Sequence, residues 1–371
     1  MKYMGSKRAM LCNGLGLLLT KEIPRHRRFI DLFTGSATVA TYAARNFAVE
    51  THAYDLQLYA RIVAGAILER TRQFDGEKCW EKWRARAERR LPKELPEPAL
   101  KMSAVAVDRA RAWSAQAEGS LVAAYGGHYY SPRQACWIQA LRETLPSPKE
   151  ERSACLAALI IACSKCAASP GHTAQPFQPT PTALPFLESC WRRDLLQDVK
   201  AALVALSGEF AKVHGKAAVG EANATADKLK PKDLVFVDPP YSAVQYSRFY
   251  HVLEAVAIGE AGEVFGAGRY PSRESRPTSS YSFKSSSHEA LKDLLQRLAN
   301  NETTVILTFP DHLCSNGISG DAVREVAQQY FRVFESSITS KFSTLGGPAG
   351  VTEKRAARRH ANELMLLLRP R

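Results

Sequence analysis

The sequence predicts an α/β protein. It should have a doubly wound sheet of seven strands, the last pair antiparallel, interrupted by a mostly helical insertion. Three observations carry this. Residues 28–72 alternate strand-like and helix-like stretches. Residues 76–150 break the alternation and contain no strand pattern. The last two strand-like runs, 331–339 and 363–369, have no helical pattern between them, which makes them antiparallel neighbours.

"RFIDLF" (28–33) is a short apolar run that ends in the small-residue turn "TGSA", and "TVATYAARN" then has helical spacing. "ETHAYD" (50–55) is a second strand ending in an acid, followed by the amphipathic helix "LQLYARIVAGAILERTR". Such a βαβα unit implies a parallel sheet. The insertion holds Trp80, Trp83, the Pro-rich "LPKELPEPALK" and "YGGHYYSPRQACWIQALRETL", in which "YYSPRQ" reads as a helix start. Residues 151–168 form an apolar helix, a Pro-dense loop follows, and 188–213 are helical again. The strand pattern resumes at 216–222, 233–241, 303–310, 331–339 and 363–369. The expected division is therefore a catalytic domain in two parts, 1–75 and 151–371, around an inserted domain at 76–150.

The chain has 371 residues and an ordinary 45% hydrophobic content, enough for a real core. No apolar run reaches the ~18 residues that a membrane span needs. The start "MKYMGSKRAML" lacks an apolar h-region with a cleavage site, so a cytoplasmic protein is expected. The eight cysteines are scattered. Cys163 and Cys166 form a CxxC inside a helical run, without a second CxxC or a His pair at ligand spacing, so packing is favoured and no metal is expected. The excess of 50 Lys+Arg over 37 Asp+Glu, a net +13, favours a polyanionic partner.

Ligands of open α/β sheets bind at the carboxyl ends of the strands. Three such ends carry unusual residues: "DLFTGSA", "AYD" and "VDPPY" (237–241). Gly35 lets backbone approach a ligand, and Asp55 stands where an acid accepts hydrogen bonds from ribose hydroxyls. The turn is not GxGxxG, so a nucleoside without phosphates, such as S-adenosylmethionine, fits better than a dinucleotide. In "VDPPY" two prolines fix φ and remove two backbone donors, so the turn is a rigid frame for one acid, free carbonyls and one aromatic ring.

"KYMGSK" (2–7), "FIDLFTGSA" (29–37) and "DPPY" (238–241), in that order, resemble the signatures of the Dam-like, alpha-group DNA adenine-N6 methyltransferases. The roughly 200 residues between the second and third signatures lie where that family keeps its target-recognition insertion. Further similar stretches are "YYSPRQACWIQALRETL", "QYSRFYHVLEAV" and the closing "KFSTLGG…ANELMLLL". Position 37 is Ala where the family usually has Gly. The resemblance implies a Rossmann-like class I methyltransferase sheet, S-adenosylmethionine as cofactor and double-stranded DNA as substrate.

By the same resemblance, Tyr3, Met4, Gly5, Ser6 and Lys7 form the N-terminal cofactor loop, Asp31, Phe33 and Gly35 the methionine-binding motif, and Asp55 the ribose acid. Asn223 or Glu221 would stand near the cofactor adenine. Asp238 and the carbonyl of Pro239 would accept the two N–H groups of the target amine, in a turn stiffened by Pro240, and Tyr241 would stack on the flipped base. Arg89, Arg90 and Arg133 of the insertion are candidate DNA contacts, and its Trp80, Trp83, Tyr129 and Tyr130 candidate wedges or stacking rings. Tyr246, Arg248 and His251 would line the DNA path or pack a helix. Two rival functions remain open: an RNA exocyclic-amine methyltransferase, and a catalytically inactive DNA-binding subunit of a modification complex. The recognition sequence, a partner restriction or defence subunit, and a monomeric or dimeric state are equally open.

Overall fold

The computed structural model describes residues 7–96, 101–343 and 358–371. They fall into two compact units. One comprises the described parts of Met4–Leu56, Ala218–Tyr246 and Ser279–Arg371; the other spans Gln57–Ala217 and Ser247–Thr278.

The first unit carries a seven-stranded sheet, apart from Lys216 and Ala217 of one edge strand. Its strands are β1 (Arg28–Asp31), β2 (Glu50–Asp55), β3 (Lys216–Val219), β4 (Asp233–Val237), β5 (Thr304–Pro310), β6 (Phe331–Ser343) and β7 (Arg358–Pro370). In space they run β3-β2-β1-β4-β5-β7-β6. β1 is parallel to β2 and β4, and β4 to β5; β7 is antiparallel to both β5 and β6. The order reverses between β1 and β4, which is the topological switch point where such sheets bind ligands.

The strand sequences explain the layers. Every residue of β4, "DLVFV", is buried, as a strand covered on both faces requires. Leu234 and Phe236 pack with Leu15, Leu19, Val39 and Ala43. Val235 and Val237 point the other way, into a cluster with Leu291, Leu294, Leu295 and Leu298. Those four leucines lie on one face of the helix Ser287–Asn300 at the i, i+3, i+4, i+7 spacing. At the amino ends of β1 and β4, Arg28 donates two hydrogen bonds to the Asp233 carboxylate, at 2.8 and 2.6 Å. A bidentate pair of this kind fixes the strand register.

The second unit is helical. Gly76–Glu88 packs on Pro132–Glu143 and on Leu195–Ser207, and Lys149–Cys166 packs on Leu58–Leu68. The helix start expected at "YYSPRQ" is a capping box: Ser131 accepts from the Gln134 amide, and the Gln134 side chain returns to the Ser131 amide. The helix expected over 188–213 is two helices, Leu184–Trp191 and Leu195–Ser207, because Asp194 caps a fresh start by accepting from Gln197 N. Trp80, Trp83, Tyr129 and Tyr130 are all buried, which corrects the expectation of exposed wedges. They lie on inward helix faces and ends, and Trp83 Nε1 donates to the Leu141 carbonyl at 3.0 Å. His251 is buried as well, against Tyr125, Tyr129 and Tyr270, and burial lowers its pKa to about 4. Among the described residues no helix is long and apolar enough to cross a membrane.

Candidate active site

β4 delivers its last residue, Val237, directly into the turn Asp238–Tyr241. Two donors converge on one oxygen of Asp238. Lys7 Nζ lies 3.0 Å from Oδ1, and Thr308 Oγ1 donates to the same atom at 2.9 Å. Among the described residues nothing donates to Oδ2, and the side chain keeps 18% of its surface exposed. Thr308 comes from β5, the parallel neighbour of β4. Glu363, which also pairs with Lys7, comes from β7, where it sits opposite Pro310 at the end of β5. Antiparallel β7 thus brings the Glu363 carboxylate to the end of β5, where it reaches Lys7 beside the Asp238–Tyr241 turn.

The Lys7 side chain is only 5% exposed. Burial alone would lower its pKa, but Asp238 and Glu363 together hold it above the usual lysine value. For Asp238 burial pushes the pKa up and Lys7 opposes it. The ammonium therefore offsets part of what burial costs the carboxylate.

The turn also sorts its carbonyls. Asn316 Nδ2 donates to the Pro240 oxygen at 3.0 Å. Among the described residues nothing donates to the Pro239 oxygen. One carboxylate oxygen and one fixed carbonyl are thus left as acceptors in a frame of two prolines. Tyr241 is half-buried with its phenol pushed up to about 12 by burial, so the ring stays neutral.

At the ends of β1 and β2, Asp55 Oδ2 accepts from Gly35 N at 2.8 Å, and Tyr54 O accepts from Thr34 N at 3.0 Å. The turn needs left-handed backbone at Gly35 (φ 51°) and at Ala37 (φ 59°), the position where the resembling family has Gly. Asp31 is buried, and its carboxyl is pushed up to about 8 by burial first and by the nearby Asp238 and Asp55 charges. The Asp238 and Asp55 charges thus add to what it costs to ionise Asp31.

The remaining expected residues are placed as follows. Tyr3, Met4, Gly5 and Ser6 lie outside the described residues. Asn223 is occupied within the fold: its amide donates to Ala290 O and Asp293, and its oxygen accepts from Tyr281 OH at 2.6 Å. Glu221 caps the helix Ala222–Ala226. Phe33 packs edge-on against Tyr281 at 5.1 Å. Tyr246 hydrogen-bonds Tyr241. In the helical unit Arg89 and Arg90 are exposed just past the end of Gly76–Glu88. Arg133, also exposed, lines a cavity of about 350 Å³ with Arg109, Arg192 and Trp113. Arg248 is exposed and stacked over Tyr270 at 4.6 Å. Three side chains that shape the turn were not singled out from sequence: Thr308, Asn316 and Glu363. A polar residue inside "VILTFP" and an acid opening "ELMLLL" were the available signals for the first and last.

The sheet order and the strand-end site define a class I methyltransferase fold. More particularly, residues 197–306, which include the whole Asp238–Tyr241 turn, match the model of the D12 class N6 adenine-specific DNA methyltransferase family. Two curated proteins are similar over shorter stretches. Modification methylase LlaI of Lactococcus lactis subsp. lactis is 38% identical over 78 residues, 21% of this chain and 12% of that protein. Modification methylase StsI of Streptococcus sanguinis is 34% identical over 89 residues, 24% of this chain and 13% of that protein. The matched stretch thus covers only a small part of either relative.

Proposed function

We propose that the protein transfers a methyl group from S-adenosylmethionine to the exocyclic N6 of an adenine flipped out of duplex DNA. The observation that carries this is the division of labour at Asp238. Lys7 and Thr308 occupy Oδ1, and among the described residues nothing donates to Oδ2 or to the Pro239 carbonyl, the two acceptors offered to a ligand's N–H groups.

An adenine amine is a poor nucleophile because its lone pair is delocalised into the ring. Two acceptors that take its two N–H groups favour a pyramidal nitrogen and aim the lone pair outward. The rigid turn supplies both with little reorganisation. Tyr241 offers a neutral ring for stacking the extruded base. The cofactor supplies an electrophilic methyl on a sulfonium. As the N–C bond forms and the S–C bond breaks, N6 loses one proton, for which Asp238 Oδ2 is the adjacent acceptor. Asp31 and Asp55 suit the cofactor's ammonium and ribose, and the carboxylate-rich crevice suits its positive charge. The helical unit, which includes 76–150, is proposed to hold the DNA through Arg89, Arg90 and Arg133, and Tyr246 and Arg248 are further proposed contacts.

The test is incubation of the purified protein with methyl-labelled S-adenosylmethionine and duplex DNA, followed by nucleoside analysis. Label in the N6-methyl-2′-deoxyadenosine of the DNA is expected. Label confined to cytosine, to guanine or to RNA overturns the proposal.

A further inference from the structure

Asn316 sits in the loop between β5 and the helix Gly320–Tyr330, with 0% of its surface exposed. Its whole hydrogen-bonding capacity is directed. The amide donates to Pro240 O at 3.0 Å and to Tyr281 O at 3.0 Å, and its oxygen accepts from Ile318 N at 3.2 Å. Cys314 N donates to Ile318 O at 2.8 Å and Gly317 N to Cys314 O at 3.0 Å, closing the loop around it. Gly317 supplies the left-handed backbone this closure needs, at φ 92°. Ser287 Oγ donates to the Asn316 carbonyl at 2.9 Å and so pins the loop from behind. The loop also grips the catalytic segment a second time: Ser315 Oγ accepts from Ala243 N at 3.0 Å.

From this geometry we infer that Asn316 is a positioning residue for methyl transfer, a role that rests on the function proposed above. Of the two proline carbonyls in the turn, it engages Pro240's and leaves Pro239's for the substrate amine. It thereby anchors the Pro240–Tyr241 peptide, the neighbour of the Pro239–Pro240 peptide that carries the second acceptor. A side chain that cannot donate two hydrogen bonds leaves two buried carbonyls opposed to each other or to a carboxylate, and the Pro239–Pro240 unit turns to relieve them. A displacement of that acceptor by a fraction of an ångström to about 1 Å is enough to lower the rate by about 100-fold. Since Asn316 touches neither Asp31 nor Asp55, the cofactor side of the crevice keeps its affinity.

The experiment compares Asn316→Asp and Asn316→Ser with two neighbours. Ser287→Ala loosens the back of the loop without touching the turn. Ser315→Ala, at an exposed position, releases only the second grip. For each folded variant the measurements are thermal midpoint, S-adenosylmethionine affinity by calorimetry, and kcat and KM on duplex DNA. The expected result is a kcat loss of about 100-fold in the Asn316 variants, a several-fold loss in Ser315→Ala, parental kcat in Ser287→Ala, and parental cofactor affinity throughout. Parental kcat in a folded Asn316 variant overturns the inference, and so does parental kcat in Ser315→Ala when neither Asn316 variant folds. A kcat loss in Ser287→Ala as large as in the Asn316 variants also overturns it, since the loss then tracks general loosening. A parent protein that methylates no adenine removes the functional proposal itself, whereas an active parent with active Asn316 variants removes this inference alone.

Discussion

Lys7 Nζ stands 3.0 Å from Asp238 Oδ1 and is paired on its other side with Glu363. One buried cation between two carboxylates ties the segment at Lys7 and the strand at Glu363 to the Asp238–Tyr241 turn. Without the cation, two like charges remain in a site that already disfavours ionisation, and Asp238 takes up a proton. Lys7→Met should therefore lower kcat at neutral pH and move the acid limb of the pH–rate profile upward, with activity recovering as pH rises. An acid limb identical to the parent's contradicts this.

Asp31 should give the proposed cofactor binding a pH dependence. Its folded pKa is raised to about 8 from 3.8, so the ligand-free protein carries a proton there at neutral pH. Between those two values the native state binds a proton that the unfolded chain does not, and this group's contribution to stability falls as pH rises through the window. A cationic ligand favours the ionised form. Affinity for S-adenosylmethionine should then climb with pH up to about 8 and level off, with proton release on binding. Calorimetry in two buffers of different ionisation enthalpy checks both. Asp31→Asn should bind more weakly with the slope removed.

Tyr241→Ala should weaken capture of the target base and leave cofactor affinity unchanged. Loss of a stacking ring costs about 1–3 kcal/mol per base. Fluorescence of a duplex with 2-aminopurine at the target position reports the flipped state. A parental signal in the variant contradicts the stacking role.

Arg89 and Arg90 are exposed beside one another. Neutralising both should weaken binding to every duplex alike. It should also flatten the dependence of log affinity on log salt, by about one unit for each phosphate the variant no longer neutralises. Arg133 lines a cavity with Trp113. Its substitution should relax sequence choice, at about 1–3 kcal/mol if it reads a guanine. Binding at several salt concentrations, with methylated sites mapped genome-wide, separates the two. If both variants bind and methylate as the parent does, recognition lies elsewhere, and the Arg/Ser-rich loop 267–287 is the next candidate.

The sheet was legible because its strands announce themselves. "DLVFV" is apolar throughout as a two-faced burial demands, and the closing pair lacks an intervening helix, which left only antiparallel pairing. The place of the Asp238–Tyr241 turn at a strand end was legible because two prolines directly after an apolar run stop the ladder there. What surrounds them was not. Asn316 lies 76 residues beyond Pro240, in a loop with no periodicity, and only the fold brings its amide to that carbonyl. The aromatics of 76–150 misled because a basic helix surface and its buried face interleave in sequence, and periodicity at 3.6 had to decide which side Trp80 and Trp83 take. Asn223 stands in the stretch that matches the resembling family's third motif, yet Asp293 and Tyr281 converge on it from elsewhere in the sheet unit.

The central claim is that Asp238 Oδ2 holds the reacting amine and that Lys7 and Thr308 hold the other oxygen. Its most direct test is single-turnover methylation of adenine-containing duplex by Asp238→Ala, with S-adenosylmethionine affinity measured on the same preparation. The predicted result is loss of methyl transfer with cofactor binding retained. Near-parental turnover by Asp238→Ala would contradict it.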